Sequence, residues 1–280
     1  MSDERSAMSD APRHRKSLGQ CFLTDRRIAD RIVALADLTP QDRVVEIGSG
    51  AGILTRILAR QAGEVIAIEV DPRWHARLEP EFHAAPHVRL VRGDALDYPF
   101  EAIPSPYKVV ANLPYYISTP VLFRLLEARA RISRMVLMLQ REVVDRMVAG
   151  PGSKAYGTLS LTVAYAAEVR KAFNVPSACF TPRPAVASAV VILTPRPAPA
   201  IAVRDEPTLV NVIRAAFSHR RKILGNALKD GGFAPDAVQR ALQAAAIAGT
   251  RRGETLTLAE FGRVADALVS AGAGAARIEA

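Results

Sequence analysis

The residue types best suited to chemistry lie together in Val109–Ser118, VVANLPYYIS. Val109 to Ala111 close an apolar run, and Asn112, Leu113, Pro114, Tyr115 and Tyr116 follow it. The Asn112 amide offers a carbonyl acceptor. Pro114 fixes its own φ and drives Leu113 toward extended backbone, which turns the Leu113 carbonyl outward as a second fixed acceptor. Tyr115 or Tyr116 offers a ring on which a planar ligand can stack. Two acceptors beside an aromatic face suit the exocyclic amino group of a base. The same residues also suit a buried strand end with a proline turn and core tyrosines, so the choice rests on what precedes them.

Val44–Ile47 reads as a short apolar strand interrupted by Glu46. Gly48-Ser49-Gly50-Ala51-Gly52 follows, and then a helix from Ile53 to Gln61. Strand, glycine-rich turn and helix form the mononucleotide-binding half of a doubly wound α/β fold. Val65–Val70 is a second buried strand. Glu69 stands near its end, about 20 residues past the glycines, where a carboxylate accepts from both hydroxyls of a ribose. A third strand, Val88–Val91, leads to Gly93 and Asp94. Asp94 is placed either to accept from an adenine amino group or to cap a turn. A fourth strand, Tyr107–Ala111, delivers Asn112. Gly48, Glu69, Asp94 and Asn112 therefore fall at the C-terminal ends of successive parallel strands, where open α/β sheets place their ligands.

Two cofactors compete for this pattern, a nicotinamide dinucleotide and S-adenosylmethionine (SAM). The dinucleotide fingerprint wants glycine at its sixth position. Counted from Gly48, that position is Ile53. Glu46 also sets a charge inside the first strand, where it could orient the glycine loop or meet the cationic amino acid part of SAM. Both features favour SAM.

The other elements must hold these strand ends in place. Before the first strand, Cys21, Phe22 and Leu23 precede a helix capped by Thr24 or Asp25, with Ile28, Ile32 and Val33 on one face. After the fourth come a helix from Thr119, a strand Ile132–Gln140 and a helix from Arg141. Strand-rich segments at Leu159–Tyr165 and Glu168–Phe173 follow, and then a strand at Ala189–Leu193. Between the last two strands, Phe180-Thr181-Pro182-Arg183-Pro184 forms a stiff loop that presents the Phe180 ring either to the core or to a flipped base. Beyond the Pro/Ala-rich stretch Pro195–Ala200 the pattern is helical. His219, Arg220, Arg221 and Lys222 form the densest basic cluster there. The reading is an α/β fold, a Rossmann-like SAM-dependent methyltransferase domain over 17–200, with a small C-terminal α-helical domain over 201–280. Residues 1–16 form a basic, disordered tail.

Composition sets wider bounds. The 280 residues are 49% hydrophobic and 23% charged, as expected of a globular chain. No apolar run approaches the roughly 20 residues that span a membrane, and the N-terminus has no apolar core of a secretory signal. Two cysteines, Cys21 and Cys179, fit a reducing, cytoplasmic setting with no disulfide frame and no Cys-rich metal site. A net charge of +9 favours a polyanionic partner.

The segments LGQCFL, VVEIGSGAG, AIEVD, GDAL, NLPYYIS and FTPRPAVAS occur in that order. Together they closely resemble the ribosomal RNA adenine dimethyltransferases. FSHRRKILGNAL and RRGETLTLAEF are similar to the bacterial small-subunit branch. The resemblance runs from Lys16 to Leu268. It implies SAM as methyl donor, no metal, and dimethylation of two adjacent adenosines in a hairpin loop near the 3′ end of 16S rRNA. The implied partner is the immature small ribosomal subunit, with an added role in its assembly; the implied state is a cytoplasmic monomer away from membranes. Carried over by motif, Cys21 and Leu23 border the cofactor, and Gly48, Glu69, Asp94 and Asn112 contact it. Asn112, Leu113, Pro114 and Tyr115 receive the target base, and Phe180 lies on its other side. Independently of the motifs, the density of basic charge at Arg220, Arg221 and Lys222 suits either RNA phosphates or a solvated helix face. One departure stands out: the family commonly has Asn where this chain has Cys21, so a backbone contact to SAM survives there but an amide side-chain contact does not.

Overall fold

In the computed structural model of the chain, residues 21–219 and 221–272 are described. The expected N-terminal tail, Leu18 to Gln20 of the LGQCFL motif, Arg220 and the last eight residues lie outside them. Two compact units divide the chain. The first takes residues up to 144 together with 170–195, and the second takes 145–169 together with 196–280.

The first unit is built on a seven-stranded sheet. Its strands are β2 (Arg43–Ile47), β3 (Glu64–Glu69), β4 (Val88–Arg92), β5 (Tyr107–Asn112), β6 (Ile132–Gln140), β7 (Ala167–Val175) and β9 (Ser188–Pro195), in the order β4-β3-β2-β5-β6-β9-β7. The pairs from β4 through β6 are parallel, and β9 runs antiparallel to β6. Strands buried on both faces need apolar residues throughout. Val44, Val45, Val65, Ile66, Val109, Val110, Val136 and Leu137 are at most 1% exposed, which is why these stretches read as continuous apolar runs. The strand order reverses between β2 and β5, and such a switch point opens a crevice at the strands' C-terminal ends.

The helices of this unit start where the sequence supplies caps. Asp25 accepts from the Arg27 and Ile28 amides to begin α1 (Arg26–Ala34). Asp71 accepts from the Arg73 amide to begin α3 (Pro72–Phe82). Between them, α2 (Ile53–Gln61) starts at Gly52 with φ 81°, a left-handed conformation that glycine adopts freely. α4 (Ser118–Glu127) and α5 (Arg141–Met147) follow β5 and β6. A separate two-stranded ribbon pairs β1 (Phe22–Leu23) with β8 (Phe180–Thr181) in antiparallel register, Phe22 opposite Thr181 and Leu23 opposite Phe180.

The second unit is helical: α6 (Thr158–Ala166), α7 (Glu206–Ser218), α8 (Leu224–Asp230), α9 (Pro235–Ala244) and α10 (Leu258–Ser270). Its core gathers Leu161 and Tyr165 with Leu209, Val212, Leu228, Val238, Phe261 and Val264. Two expectations fail here. Leu159–Tyr165, patterned as strand, is the helix α6. It is buried on nearly every side, so no polar face marks its helical period, and its start is set by the Gly157 amide donating to Ser160 Oγ at 3.1 Å. The boundary between units also differs from a single break after residue 200. Residues 145–169 join the helical unit because α6 supplies its core and the Tyr156 hydroxyl donates to the Leu256 carbonyl at 2.8 Å.

Candidate active site

A pocket of about 70 Å³ opens at the C-terminal ends of β2, β3 and β5, lined among others by Cys21, Phe22, Gly48, Glu69, Asp94 and Asn112. The wall from Leu113 to Ile117 completes it. Five of the six residues expected at the cofactor are therefore brought together, from five separate chain segments. Leu23 is the exception. It is 3% exposed and sits in the core, while its neighbour Phe22 lines the pocket. Successive strand residues face opposite ways, so in the two-residue β1 one side chain must go inward.

The glycine loop is shaped to receive a ligand's backbone-close approach. Gly48 and Gly50 have φ of 75° and 48°. A Cβ on Gly50 would stand 2.7 Å from the Phe22 ring, so only glycine lets Phe22 lie over the loop. Phe22 is held from behind by Trp74, with ring centroids 4.5 Å apart. Glu69 anchors the loop from the other side. Its Oε2 accepts from the Gly50 amide at 2.7 Å and its Oε1 from the Asp71 amide at 2.9 Å. Burial raises the Glu69 pKa, and the Asp71 and Gly50 amides pull against that rise. Each carboxylate oxygen carries a second lone-pair direction, which leaves capacity to accept ribose hydroxyls. Asp94 Oδ1 accepts from the Leu96 amide at 2.9 Å as a turn cap, and the residue also lines the pocket.

Asn112 ends β5, one strand from the glycine loop. Its Nδ2 donates to the Cys21 carbonyl at 3.5 Å. That contact engages the donor end of the amide and leaves Oδ1 as the free acceptor. The Leu113 amide is tied to the Met138 carbonyl at 3.1 Å, and the Ile117 amide closes the turn on the Pro114 carbonyl at 3.2 Å. Tyr115 and Tyr116 then part. The Tyr115 hydroxyl pairs with Ser188 Oγ at 2.5 Å, whereas Tyr116 is 48% exposed at the pocket mouth. Burial raises the pKa of both phenols. The open ring for stacking is thus Tyr116. Val70, 39% exposed, also lines the pocket and adds a second apolar surface, which its place at the strand end beside Glu69 could have signalled.

Phe180 does not behave as a ring offered to solvent. It is 2% exposed in the core cluster with Leu23 and is absent from the pocket lining. The two prolines after it stiffen the loop as expected, but the antiparallel pairing of β8 with β1 turns the ring inward.

Cys21 meets Asn112 through its carbonyl, and burial raises its thiol pKa, which keeps it a neutral thiol. Cys21→Asn is therefore expected to leave SAM affinity within a few-fold. A tenfold gain by calorimetry, about 1.4 kcal/mol, would show instead that a side-chain bond is missing in this protein.

Glu46 does not reach the pocket. It is 1% exposed in the middle of β2, and its Oε2 has no hydrogen-bond partner among the described residues. Burial pushes its pKa up to about 8, aided by the nearby Glu69 charge and opposed by Thr55 and Arg56 of α2. A carboxyl whose pKa rises on folding stabilises the fold in its protonated form. That contribution is complete below the unfolded pKa and is lost as pH climbs toward 8. Glu46→Gln should flatten the fall of Tm with rising pH across this window. Parallel Tm profiles for the two proteins would contradict the assignment.

In the helical unit, the Lys222 ammonium is paired with the Asp230 carboxylate, and Arg221 is exposed. Arg220 lies outside the described residues.

A doubly wound sheet with a glycine loop at its switch point, beside a pocket lined by Glu69 and Asn112, is the frame of a Rossmann-like, SAM-dependent methyltransferase. The model of the family "ribosomal RNA adenine dimethylase" matches residues 11–268, and the chain belongs to that family. Ribosomal RNA small subunit methyltransferase A of Pelotomaculum thermopropionicum is 46% identical over 272 residues, covering 92% of each chain. The protein of the same description from Geobacter sulfurreducens is 45% identical over 270 residues, covering 94% of this chain and 98% of its own. A dimethyladenosine transferase from Plasmodium falciparum superposes with a TM-score of 0.75 at 26% identity, over 87% of this chain and 95% of its own. The 23S rRNA methyltransferase ErmE superposes with a TM-score of 0.69 at 26% identity, over 89% and 99%.

Proposed function

We propose that this enzyme dimethylates the exocyclic amino groups of two adjacent adenosines in a hairpin near the 3′ end of 16S rRNA, within the immature small ribosomal subunit. The observation that carries the reading is Asn112. It lines the pocket at the end of β5, its Nδ2 is 3.5 Å from the Cys21 carbonyl, and its Oδ1 has no hydrogen bond among the described residues, which leaves that acceptor for a ligand.

The residues present fit SAM. The positive-φ Gly50 leaves room for the Phe22 ring to lie over the glycine loop at the pocket wall, and the buried Glu69 carboxylate retains acceptor capacity beside it. Glu69 would hold the ribose, Asp94 the adenine amino group, and Val70 and Tyr116 the apolar faces at the pocket mouth. When bound, SAM supplies an electrophilic methyl group on a sulfonium. An adenine amine is a poor nucleophile because its lone pair is delocalised into the ring. Hydrogen bonds from the amine to Asn112 Oδ1 and the Leu113 carbonyl favour a more tetrahedral nitrogen with the lone pair freed. Pro114 and the Leu113–Met138 bond fix that edge, so much of the rate comes from alignment. The methylated ammonium is acidic and releases its proton to water, so no general base is needed. No step requires a metal.

The base must leave its stack to reach Asn112. Tyr115, tied to Ser188, would wall the base site, and Phe180, buried in the core opposite Leu23, would not stack on the base. Arg220, Arg221 and Lys222 would contact rRNA phosphates, with Lys222 exchanging Asp230 for a phosphate; such exposed pairs cost at most about 1 kcal/mol to break. The enzyme is proposed to act as a cytoplasmic monomer and to aid subunit assembly by binding as well as by catalysis. Among the described residues no helix is long and apolar enough to cross a membrane.

Nuclease digestion of small-subunit RNA after incubation with enzyme and SAM should yield N6,N6-dimethyladenosine by mass spectrometry. Methyl transfer to another nucleoside, or to protein, would overturn the proposed function.

A further inference from the structure

Two arginines beside the pocket have no role in the chemistry above. Arg183 lies in the loop Pro182–Ala187, between β8 and β9. The loop is tied down at both ends to residues that meet the pocket. At its start, Thr181 pairs with Phe22, which lines the pocket. At its end, Ser188 pairs with Gln140 and bonds the Tyr115 hydroxyl, and Tyr115 also lines the pocket. The loop thus runs beside the place where the base must enter.

Pro182 and Pro184 fix φ on both sides of Arg183, and a residue before proline is held extended. Arg183 is exposed, and so is Val186 at 47%. Arg141, the first residue of α5, is attached to the same loop: its amide donates to the Ala187 carbonyl at 2.9 Å. It too is exposed. From Pro176 to Ser188 the only charged residue is Arg183. Neither arginine forms an ion pair with a carboxylate among the described residues.

Other arginines of this unit are committed to acids. Arg43 pairs with Glu64, Arg56 with Glu81, Arg73 with Asp71 and Arg124 with Glu127. Unpaired arginines occur on remote surfaces as well, Arg60 among them. What separates Arg141 and Arg183 is that both are tied to the one loop whose ends, at Thr181 and Ser188, are bonded to the pocket residues Phe22 and Tyr115. An extruded base arrives with its phosphodiester chain still attached, and that chain must pass over these walls. A guanidinium fork matches a phosphate's paired oxygens.

We propose that Arg141 and Arg183 form a clamp on two phosphates of the RNA strand that carries the target adenosine, positioning the extruded nucleotide over Asn112. The clamp rests on the rRNA methylation reading above. It is distinct from the Arg220–Lys222 cluster, which belongs to the helical unit.

The test compares wild type, the double variant Arg141→Gln/Arg183→Gln, and Arg141→Lys/Arg183→Lys, on small subunits carrying unmethylated RNA. For the Gln pair, KM for subunits should rise by roughly tenfold per arginine, the scale of one charge-assisted bond. The salt slope of binding should fall by about 0.7 per lost contact. SAM affinity by calorimetry should match wild type. The Lys pair should recover the salt slope, because a point charge suffices for counterion release. Methylation by wild type together with an unchanged KM and slope in the Gln pair would overturn the clamp alone. Loss of SAM affinity in both pairs would overturn it too, by showing that these side chains hold the fold. Failure of wild type to methylate the subunits would remove the function reading, and the clamp with it.

Discussion

Asn112→Ala should methylate far more slowly in a single turnover, by about 10²–10³-fold, the usual loss on removing one preorganised polar contact to a reacting centre. The expectation follows from how the side chain is held. The side chain lines the pocket with its Nδ2 3.5 Å from the Cys21 carbonyl, and its Oδ1 has no hydrogen bond among the described residues. Alanine removes that acceptor without touching the Leu113–Met138 bond or the Tyr115–Ser188 pair that shape the rest of the edge. Particle binding should stay within a few-fold of wild type, because RNA grip is spread over cations elsewhere. The variant should then linger on subunits it cannot modify and slow their maturation. Single-turnover methylation beside particle cosedimentation measures both. Near-normal dimethylation would refute the role given to Asn112.

Glu69→Ala should weaken SAM binding by roughly 1.5–3 kcal/mol or more, the scale of hydrogen bonds to a charged group. Two effects add in the same direction. The ribose hydroxyls lose their carboxylate, and the Gly50 and Asp71 amides lose their shared acceptor. Glu69→Gln separates little from alanine here, since its amide nitrogen would confront one of the two backbone donors that the carboxylate now accepts. Calorimetry reads the affinity directly, and an unchanged value would sink the ribose assignment.

The strand ends were legible in the sequence because backbone chemistry marks them. Glycines at 48, 50 and 52 announce positive φ, and acids at Glu69 and Asp94 stand out at the ends of apolar strands. Asn112 followed by Pro114 marks where a strand must stop. Other features were hidden for physical reasons. A two-residue strand has no pattern to fix its parity, so nothing local could decide that Phe22 rather than Leu23 faces the pocket. Phe180 is turned inward by pairing with a segment far away in sequence, which its flanking prolines do not reveal. α6 is buried on nearly every side, which erases the period that separates helix from strand. Glu46 was visible as a misplaced charge, but its burial depends on the packing of α2 over β2, which the strand's own sequence does not show.

The central claim is that Asn112 and its neighbours act on adenosine amines of small-subunit rRNA. It is tested most directly by mapping the methyl groups that wild-type enzyme transfers from labelled SAM to immature small subunits. The account predicts label on two adjacent adenosines of one hairpin loop near the 3′ end of the 16S rRNA, two methyl groups on each amine. Label confined to other nucleotides, or none on RNA at all, would contradict it.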